Sequence, residues 1–335
     1  MEIKFLKAGS GDSILIHSEG GNILIDGGND STFLIDEYYK IIAREEKIDL
    51  LIITHHDDDH IKGILDLFKH IESKNAIPEI ETVIFNSPKK INNLLKEETS
   101  TNLLSYKQAH ELENILFKNR DINWITSLDN DINELFKDKF GEMSLKIFSP
   151  SKEILLTYAS NKGAYLNSDY RCDWNIPIKE LAKFIDDKSQ DTSPSNKTSI
   201  VVYLTIKNKK ILLTADVTPE RLDKIIDSIR EDKDKADFDL IKLPHHGSYR
   251  SLNSKTLEKI NCKNYVVSTN SSRHYLPNKR AFIKIIQNLR LTEPIEFSFN
   301  YEEAIHKLKI TDKEMTEYKI KLKPNTDSWG YGITF

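Results

Sequence analysis

From Thr54 to Gly63 the chain reads Thr-His-His-Asp-Asp-Asp-His-Ile-Lys-Gly, with three histidines and three aspartates in six consecutive positions. Imidazoles and carboxylates crowded this closely repel or desolvate one another unless a cation compensates. One or two divalent metal ions are the economical compensation, and a mixed nitrogen and oxygen donor set suits Zn, Mn or Fe better than Ca or Mg. In an extended segment residues i and i+2 point the same way, so His55 and Asp57 can converge on one ion. Asp59 and His60, where the chain turns into a helix, can reach a second. His56 and Asp58 would then point away from both. Asp216 and the adjacent His245 and His246 also stand at the ends of apolar runs and could complete the shell from the other half of the chain. Two such ions supply a nucleophile at neutral pH and clamp a phosphoryl centre.

Each of these residues has a plainer reading beside the chemical one. Three aspartates in a row usually form a solvated loop, but here an apolar run, Leu50 to Ile53, delivers them. Adjacent histidines do not easily ligate together, so one of His245 and His246 is expected to coordinate and the other to contact substrate or pack. Asp26, before Gly27-Gly28, either closes a turn or supports the ligands from behind. Asp216 has a competing role as N-cap of a helix over Glu220 to Arg230. Asp12 reads as a structural hydrogen-bond acceptor. His274 either packs or serves as a phosphate contact and acid.

The elements that must position these residues follow from the apolar pattern. Short strands are expected at Glu2 to Leu6, Ser13 to His17 and Asn22 to Ile25, separated by Gly-rich turns. A helix follows from Phe33 to Lys47, then the strand Ile48 to Ile53 that feeds the His/Asp cluster, then a helix from Ile61 to Ile71. The stretch of about 87 to 190 is polar and mixed. It holds a helix from Leu103 to Asn119, a short strand near Trp124, a strand at Ser144 to Phe148, and a helical end within Glu153 to Phe184. Asp186 to Lys197 has no core material and reads as a mobile segment able to lie over a cleft. The second half repeats the theme of strand, acidic or histidine-rich strand end, then helix. Two β-rich halves facing each other with helices outside would satisfy that pattern.

Composition narrows the class. With 335 residues, 39% of them hydrophobic, the chain can bury a large core. A net charge of −4 gives no overall basic excess for nucleic acid. The two cysteines, Cys172 and Cys262, make no disulfide framework, and no apolar run reaches the length of a membrane span. A cytoplasmic protein with reduced thiols and no membrane partner is the expectation.

Several motifs resemble the metallo-β-lactamase superfamily, and within it the branch similar to the hydrolase domain of ComEC-type DNA-uptake proteins. They are Gly9-Ser-Gly-Asp-Ser13, Leu24-Ile-Asp-Gly-Gly28, Thr54 to Gly63 with its His-x-Asp-x-Asp-His pattern, and Asn196-Lys-Thr-Ser199. Leu212-Leu-Thr-Ala-Asp216 and Leu243-Pro-His-His-Gly-Ser248 complete the set. His274-Tyr-Leu-Pro277 departs from the branch's pattern at that place. The resemblance implies an α/β fold, a four-layer αββα sandwich, here as a single domain over 1–335 with a largely helical insertion at about 87–190. It implies that His55 and Asp57 hold one ion and that Asp59, His60 and one of His245 or His246 hold the other, with Asp216 bridging. Asn196 or Ser199 stands where other members place a metal-binding histidine. Asp59, His246 and His274 are the expected catalytic residues, and Asp26, Asn196, Ser199 and Ser248 the expected substrate-contacting or supporting ones.

The resulting expectation is a hydrolase dependent on one or two Zn or Mn ions, a phosphodiesterase or nuclease working through a metal-activated hydroxide. The alternatives are hydrolysis of a small phosphodiester or cyclic nucleotide, and an interaction subunit of a multi-protein, defence-type system with a protein partner docking on the middle insertion.

Overall fold

The computed structural model describes residues 1–95, 106–128, 132–160, 172–184, 187–289 and 293–335. Residues 103–105 of the expected helix, 161–171 of the mixed segment, and Asp186 lie outside them.

The first sheet is built from β1 (Glu2–Leu6), β2 (Ile14–Ser18), β3 (Gly21–Ile25), β4 (Ile48–Ile53), β5 (Ile80–Phe85) and β6 (Asn123–Ile125). The second begins with β7 (Met143–Phe148), β8 (Val201–Ile206) and β9 (Lys209–Leu213). The short strands β10 (Ala236–Asp237) and β12 (Ile260–Asn261) pair with each other. Between and beyond them come β11 (Leu240–Lys242), β13 (Asn264–Val267), β14 (Ile295–Phe299), β15 (Ile320–Lys323) and β16 (Gly330–Thr334). The strand orders are β16-β1-β2-β3-β4-β5-β6 and β15-β14-β13-β11-β9-β8-β7. Each sheet opens as an antiparallel meander and continues as parallel strands, so the repeated theme in the sequence is a repeated topology.

Alternation along the strands makes the layers. Ile23, Ile25, Leu50 and Ile52 point into a core shared with Val202, Leu204, Ile211 and Leu213 of the second sheet. Their neighbours Leu24, Leu51 and Ile53 face the other way, onto helix residues Leu34, Ile41, Ile64 and Phe68. On the far side Leu212, Ile241 and Phe297 pack against Leu222, Ile226 and Phe282. Helices, sheet, sheet and helices therefore form four layers, as expected.

The middle segment supplies strands as well as helices, at the two places where strands were expected. β6 pairs with β5 and β7 with β8, so each sheet takes one strand from residues 87–190. Among the described residues, no helix is long and apolar enough to cross a membrane.

Candidate metal centre

Where β3, β4, β9, β11 and β13 end, the chain turns, and these turns form the site. Parallel strands present their carboxyl ends together, the usual location of a ligand site in α/β sheets. Thr54 to His60 follow β4. The helix they enter starts at Asp58 and runs to Ser73, earlier than the expected Ile61, so Asp59 and His60 lie on its first turn. Carboxylates there are favoured by the helix dipole. Asp57 is the N-cap residue, yet its side chain makes no capping bond. Its Oδ2 instead lies 3.6 Å from His55 Nε2 and accepts a 2.9 Å hydrogen bond from the Ser195 hydroxyl.

Two turns lock against this one. Asp12 N donates to Asp59 O at 3.2 Å, and Gly27 N to His60 O at 2.8 Å. A Cβ on Gly11 would stand 1.6 Å from Asp59 O, so only glycine allows that approach. Asp26, buried and at φ +57°, accepts from Thr54 N, Thr54 Oγ1 and His60 Nδ1 at 2.8, 2.6 and 2.7 Å. It closes its turn and fixes the His60 ring, so the two readings of Asp26 hold together. With Nδ1 engaged, His60 Nε2 faces the centre, 3.4 Å from Asp216 Oδ1.

From the second sheet, Asp216 lies two residues before the actual N-cap, Thr218, of the helix Pro219–Arg230, which removes the capping alternative. Its Oδ2 is 3.5 Å from His246 Nε2 and 3.7 Å from His245 Nε2. His245 and His246 both adopt left-handed φ, +47° and +54°, as does Ala215 at +46°. Non-glycine residues in this region are strained, and such strain gathers at functional sites. The turn aims both rings toward Asp216. His246 Nδ1 donates to Ser268 O at 2.9 Å, which leaves Nε2 to face Asp59 Oδ2 at 3.5 Å. His245 Nδ1 pairs with Asp191 Oδ2 at 3.0 Å.

The result is a set of buried acceptor atoms without hydrogen-bond partners: His55 Nε2, His60 Nε2, His246 Nε2 and Asp216 Oδ1. Unsatisfied buried polar atoms are destabilising, and several converging on one point fit a cation. Four groups of three donors lie within 4.8 Å of one another: His55 with His60 and Asp216, Asp59 with His60 and His246, and two that contain Asp12, which already pairs with Lys242. Asp57 and His245 join no such group among the described residues. Burial favours protonation of Asp216, but His246, His245 and His60 outweigh it and hold the carboxyl well below its usual range. Burial opposes a charge on His60 and His246. Asp216, with Asp26 for His60 and Asp12 for His246, overrides it and raises both imidazoles well above the ordinary value.

The other sequence candidates fall around this centre. His274, half-buried at φ +55°, lies close enough to feel Asp59, His245 and His246, though burial dominates and lowers its pKa. Asn196 donates to Asp191 Oδ2 at 2.7 Å, and its amide lies 3.2 Å from His245 Nδ1. Ser199 is fully buried and its carbonyl accepts from Arg221. Ser248 is buried, and its N–H closes the turn onto His245 O at 2.9 Å. Asp58 does point away, to Gln108 and Arg273. His56 points away too, but into a buried pocket against Tyr106 and Tyr158, with ring centroids 5.3 and 4.9 Å away. Residues 187–197, expected to be mobile, are tied to the site through Asp191, Ser195 and Asn196.

Two functional neighbours were missed. Lys242 is wholly buried, and its ammonium pairs with Asp12 and lies 3.2 Å from Ala215 O and 4.0 Å from Asp216 Oδ1. A lysine inside the apolar run Leu240-Ile-Lys-Leu243 was the available signal. Asp191 sits in a polar loop and gave none.

The family model of the metallo-beta-lactamase superfamily matches residues 6–271. The chain belongs to that superfamily. It is thereby a member of a superfamily of metal-dependent hydrolases. Microtubule-associated protein 1A from Homo sapiens and from Rattus norvegicus are each 33% identical over 101 residues, 25% of this chain and 4% of theirs. The chain therefore spans a small fraction of those relatives' length. Among solved structures, zinc-bound PqqB from Methylobacterium extorquens is 12% identical with a TM-score of 0.46, and covers 100% of both chains. The human tRNase Z short form is 12% identical with a TM-score of 0.38, over 100% of this chain and 99% of that one. CmlA, a diiron β-hydroxylase from Streptomyces venezuelae, is 12% identical with a TM-score of 0.43, over 100% of this chain and 54% of that one.

Proposed function

We propose that this superfamily member is a phosphodiesterase that works with divalent metal, and that its motifs place it near the ComEC-type branch. The observation that supports it best is the convergence of His55, His60, His246 and Asp216 through buried atoms that have no other partner. The donor groups of His55 and of Asp59 share His60, and Asp216 touches the rings of both. That arrangement suits two ions side by side. Such ions supply Lewis acidity and a nucleophile at neutral pH and flank a phosphoryl group undergoing in-line displacement. The chain's own contributions are orientation and charge. Asp26 and Ser268 set the faces of His60 and His246, and Asp216 is the carboxylate within reach of both sheets' ligands. His274 at the rim is placed to contact a substrate oxygen.

The test is hydrolysis of bis-p-nitrophenyl phosphate with Mn or Zn added, in wild type and in Asp59→Ala/His60→Ala. The double variant should be inactive while retaining its circular dichroism spectrum. Full activity in it would refute the metal mechanism. Nucleic acid is the first substrate class to screen, single- and double-stranded. The net charge of −4 favours a small phosphodiester as the second reading, and cyclic nucleotides are its probes.

A further inference from the structure

We infer that the turn at 273–277 and Trp174 form an aromatic platform at the rim of the centre, with Tyr275 the ring on which a nucleobase of the substrate stacks. The inference rests on the phosphodiesterase reading above and names the substrate class that site takes, a phosphodiester carrying a nucleobase. Among the described residues five large hydrophobic side chains are exposed. Tyr275, 43% exposed, is the one that follows directly on His274, the rim residue that feels Asp59, His245 and His246. Consecutive Cα atoms are about 3.8 Å apart, so the ring stands one residue's step from that rim. His274 and Tyr275 are both left-handed, at φ +55° and +53°. An aromatic residue in this conformation is strained, and such strain persists only where the surroundings impose it.

Here the surroundings do impose it. Asn278 N donates to the carbonyl of Gly247, the residue after His246, at 3.0 Å, and Asn278 Nδ2 donates to Tyr275 O at 3.2 Å. The Trp174 indole N–H donates to Pro277 O at 2.8 Å. Trp174 is held in turn by Asp173, whose carboxylate accepts from Lys279 N and Arg280 N, each at 3.0 Å. The two rings meet at 78° with their centroids 5.7 Å apart. This edge-to-face contact leaves at least one flat face of Tyr275 clear of Trp174, and every base has a π-face to lay on it. The charge nearby suits a ligand that bears phosphate. Lys307 Nζ donates to Asn270 O and Ser271 O at 3.1 and 3.0 Å, and Lys309 Nζ to Asn175 Oδ1 at 2.7 Å. These acceptors are neutral and do not cancel the ammonium charges. Arg273 is paired with Asp58 and is not counted with them. Positive charge therefore flanks the aromatic pair in a chain whose net charge is −4.

The experiment compares two diesters with one leaving group, thymidine 5′-(p-nitrophenyl phosphate) and ethyl p-nitrophenyl phosphate, with Mn or Zn added. Wild type should prefer the thymidine ester in kcat/KM. Tyr275→Leu, which keeps the bulk and loses the ring, should lower that preference about tenfold, chiefly through KM, as expected for one stacked base. Tyr275→Phe should restore it. A preference unchanged in Tyr275→Leu, including one where both esters slow equally, would overturn the inference and leave the phosphodiesterase reading intact. Binding is read separately, by titrating the dinucleotide thymidylyl-thymidine into metal-free protein and following indole fluorescence. Wild type should be quenched, Tyr275→Leu should need about tenfold more dinucleotide, and Trp174→Phe should lose most of the signal. If neither ester is hydrolysed, the phosphodiesterase reading fails. The platform is then upheld by that quenching pattern and overturned by its absence.

Discussion

Lys242→Met is the sharpest test of how this centre is held together. The ammonium lies in a site with no solvent access, paired with Asp12, which is equally buried. Burial alone would push the Asp12 carboxyl up, but Lys242, with His246 and His60, reverses this and keeps it well below the usual range. Removing the ammonium takes away the largest of the charges that compensate a buried carboxylate, and breaking a buried pair in this way costs up to about 3–5 kcal/mol. That is a large part of a typical stability of about 5–15 kcal/mol. The pH dependence has a definite sign. In wild type the pair's contribution is present above the unfolded carboxyl's pKa and is lost only as pH falls through the depressed folded value. In the variant the attraction of Lys242 is gone while His246 and His60 still oppose burial, so the Asp12 pKa rises relative to wild type and the destabilisation grows as pH rises and eases toward acid. Urea unfolding of wild type, Lys242→Met, Asp12→Asn and the double variant closes a cycle, and the double variant should recover most of the loss because neither charge is then orphaned. A cost below about 1 kcal/mol, or the same cost with Asp12 already replaced, would refute the pairing as the cause.

Three further outcomes follow from the geometry. Gly11→Ala should destabilise by at least about 2 kcal/mol and lower metal affinity, because its Cβ would meet the Asp59 carbonyl at 1.6 Å; calorimetry and Zn titration measure both. Asp26→Asn should weaken Zn binding about 10- to 100-fold with little change in fold, since Asp26 orients the His60 ring; competition with a fluorescent chelator measures it. Chelated, metal-free protein should be more thermally stable at about pH 5.5 than at about pH 8.5, because the raised His60 and His246 pKa values add stability that is full below the unfolded histidine value and lost on passing through the folded ones. Saturating Zn should reverse that order, since imidazole ligands must shed their protons to bind metal.

What the sequence made legible was whatever is written in local patterns. β4 falls where an apolar run meets a polar stop, and β1 and β14 fall where apolar and polar residues alternate, the two patterns a strand leaves in a sequence. The four layers were implied by the resemblance and by the repeated strand-then-helix theme; in the fold, successive residues of Ile23-Leu24-Ile25 and Leu50-Leu51-Ile52 face alternately inward and outward. The site's two halves were visible as His/Asp clusters at strand ends. Their pairing was not, because no local pattern encodes which carboxylate meets which imidazole across two sheets. Asp57 shows the limit. Strand spacing aligned it with His55, and the two do stand 3.6 Å apart, but spacing could not reveal that Ser195, far along the chain, hydrogen-bonds the same oxygen. The helix start was misread for a related reason. Asp58 and Asp59 look like loop residues, but the first turn of a helix leaves its N–H groups unpaired and welcomes carboxylates, so the helix extends back through them. Lys242 is the most instructive case. A lysine within Leu240-Ile-Lys-Leu243 contradicts a buried strand unless an anion waits for it, and the anion comes from Asp12 in a turn of the opposite sheet. A charge that breaks a local rule inside an apolar run therefore marks a long-range partner, and here that partner ties the first turn of the chain to the centre of the site.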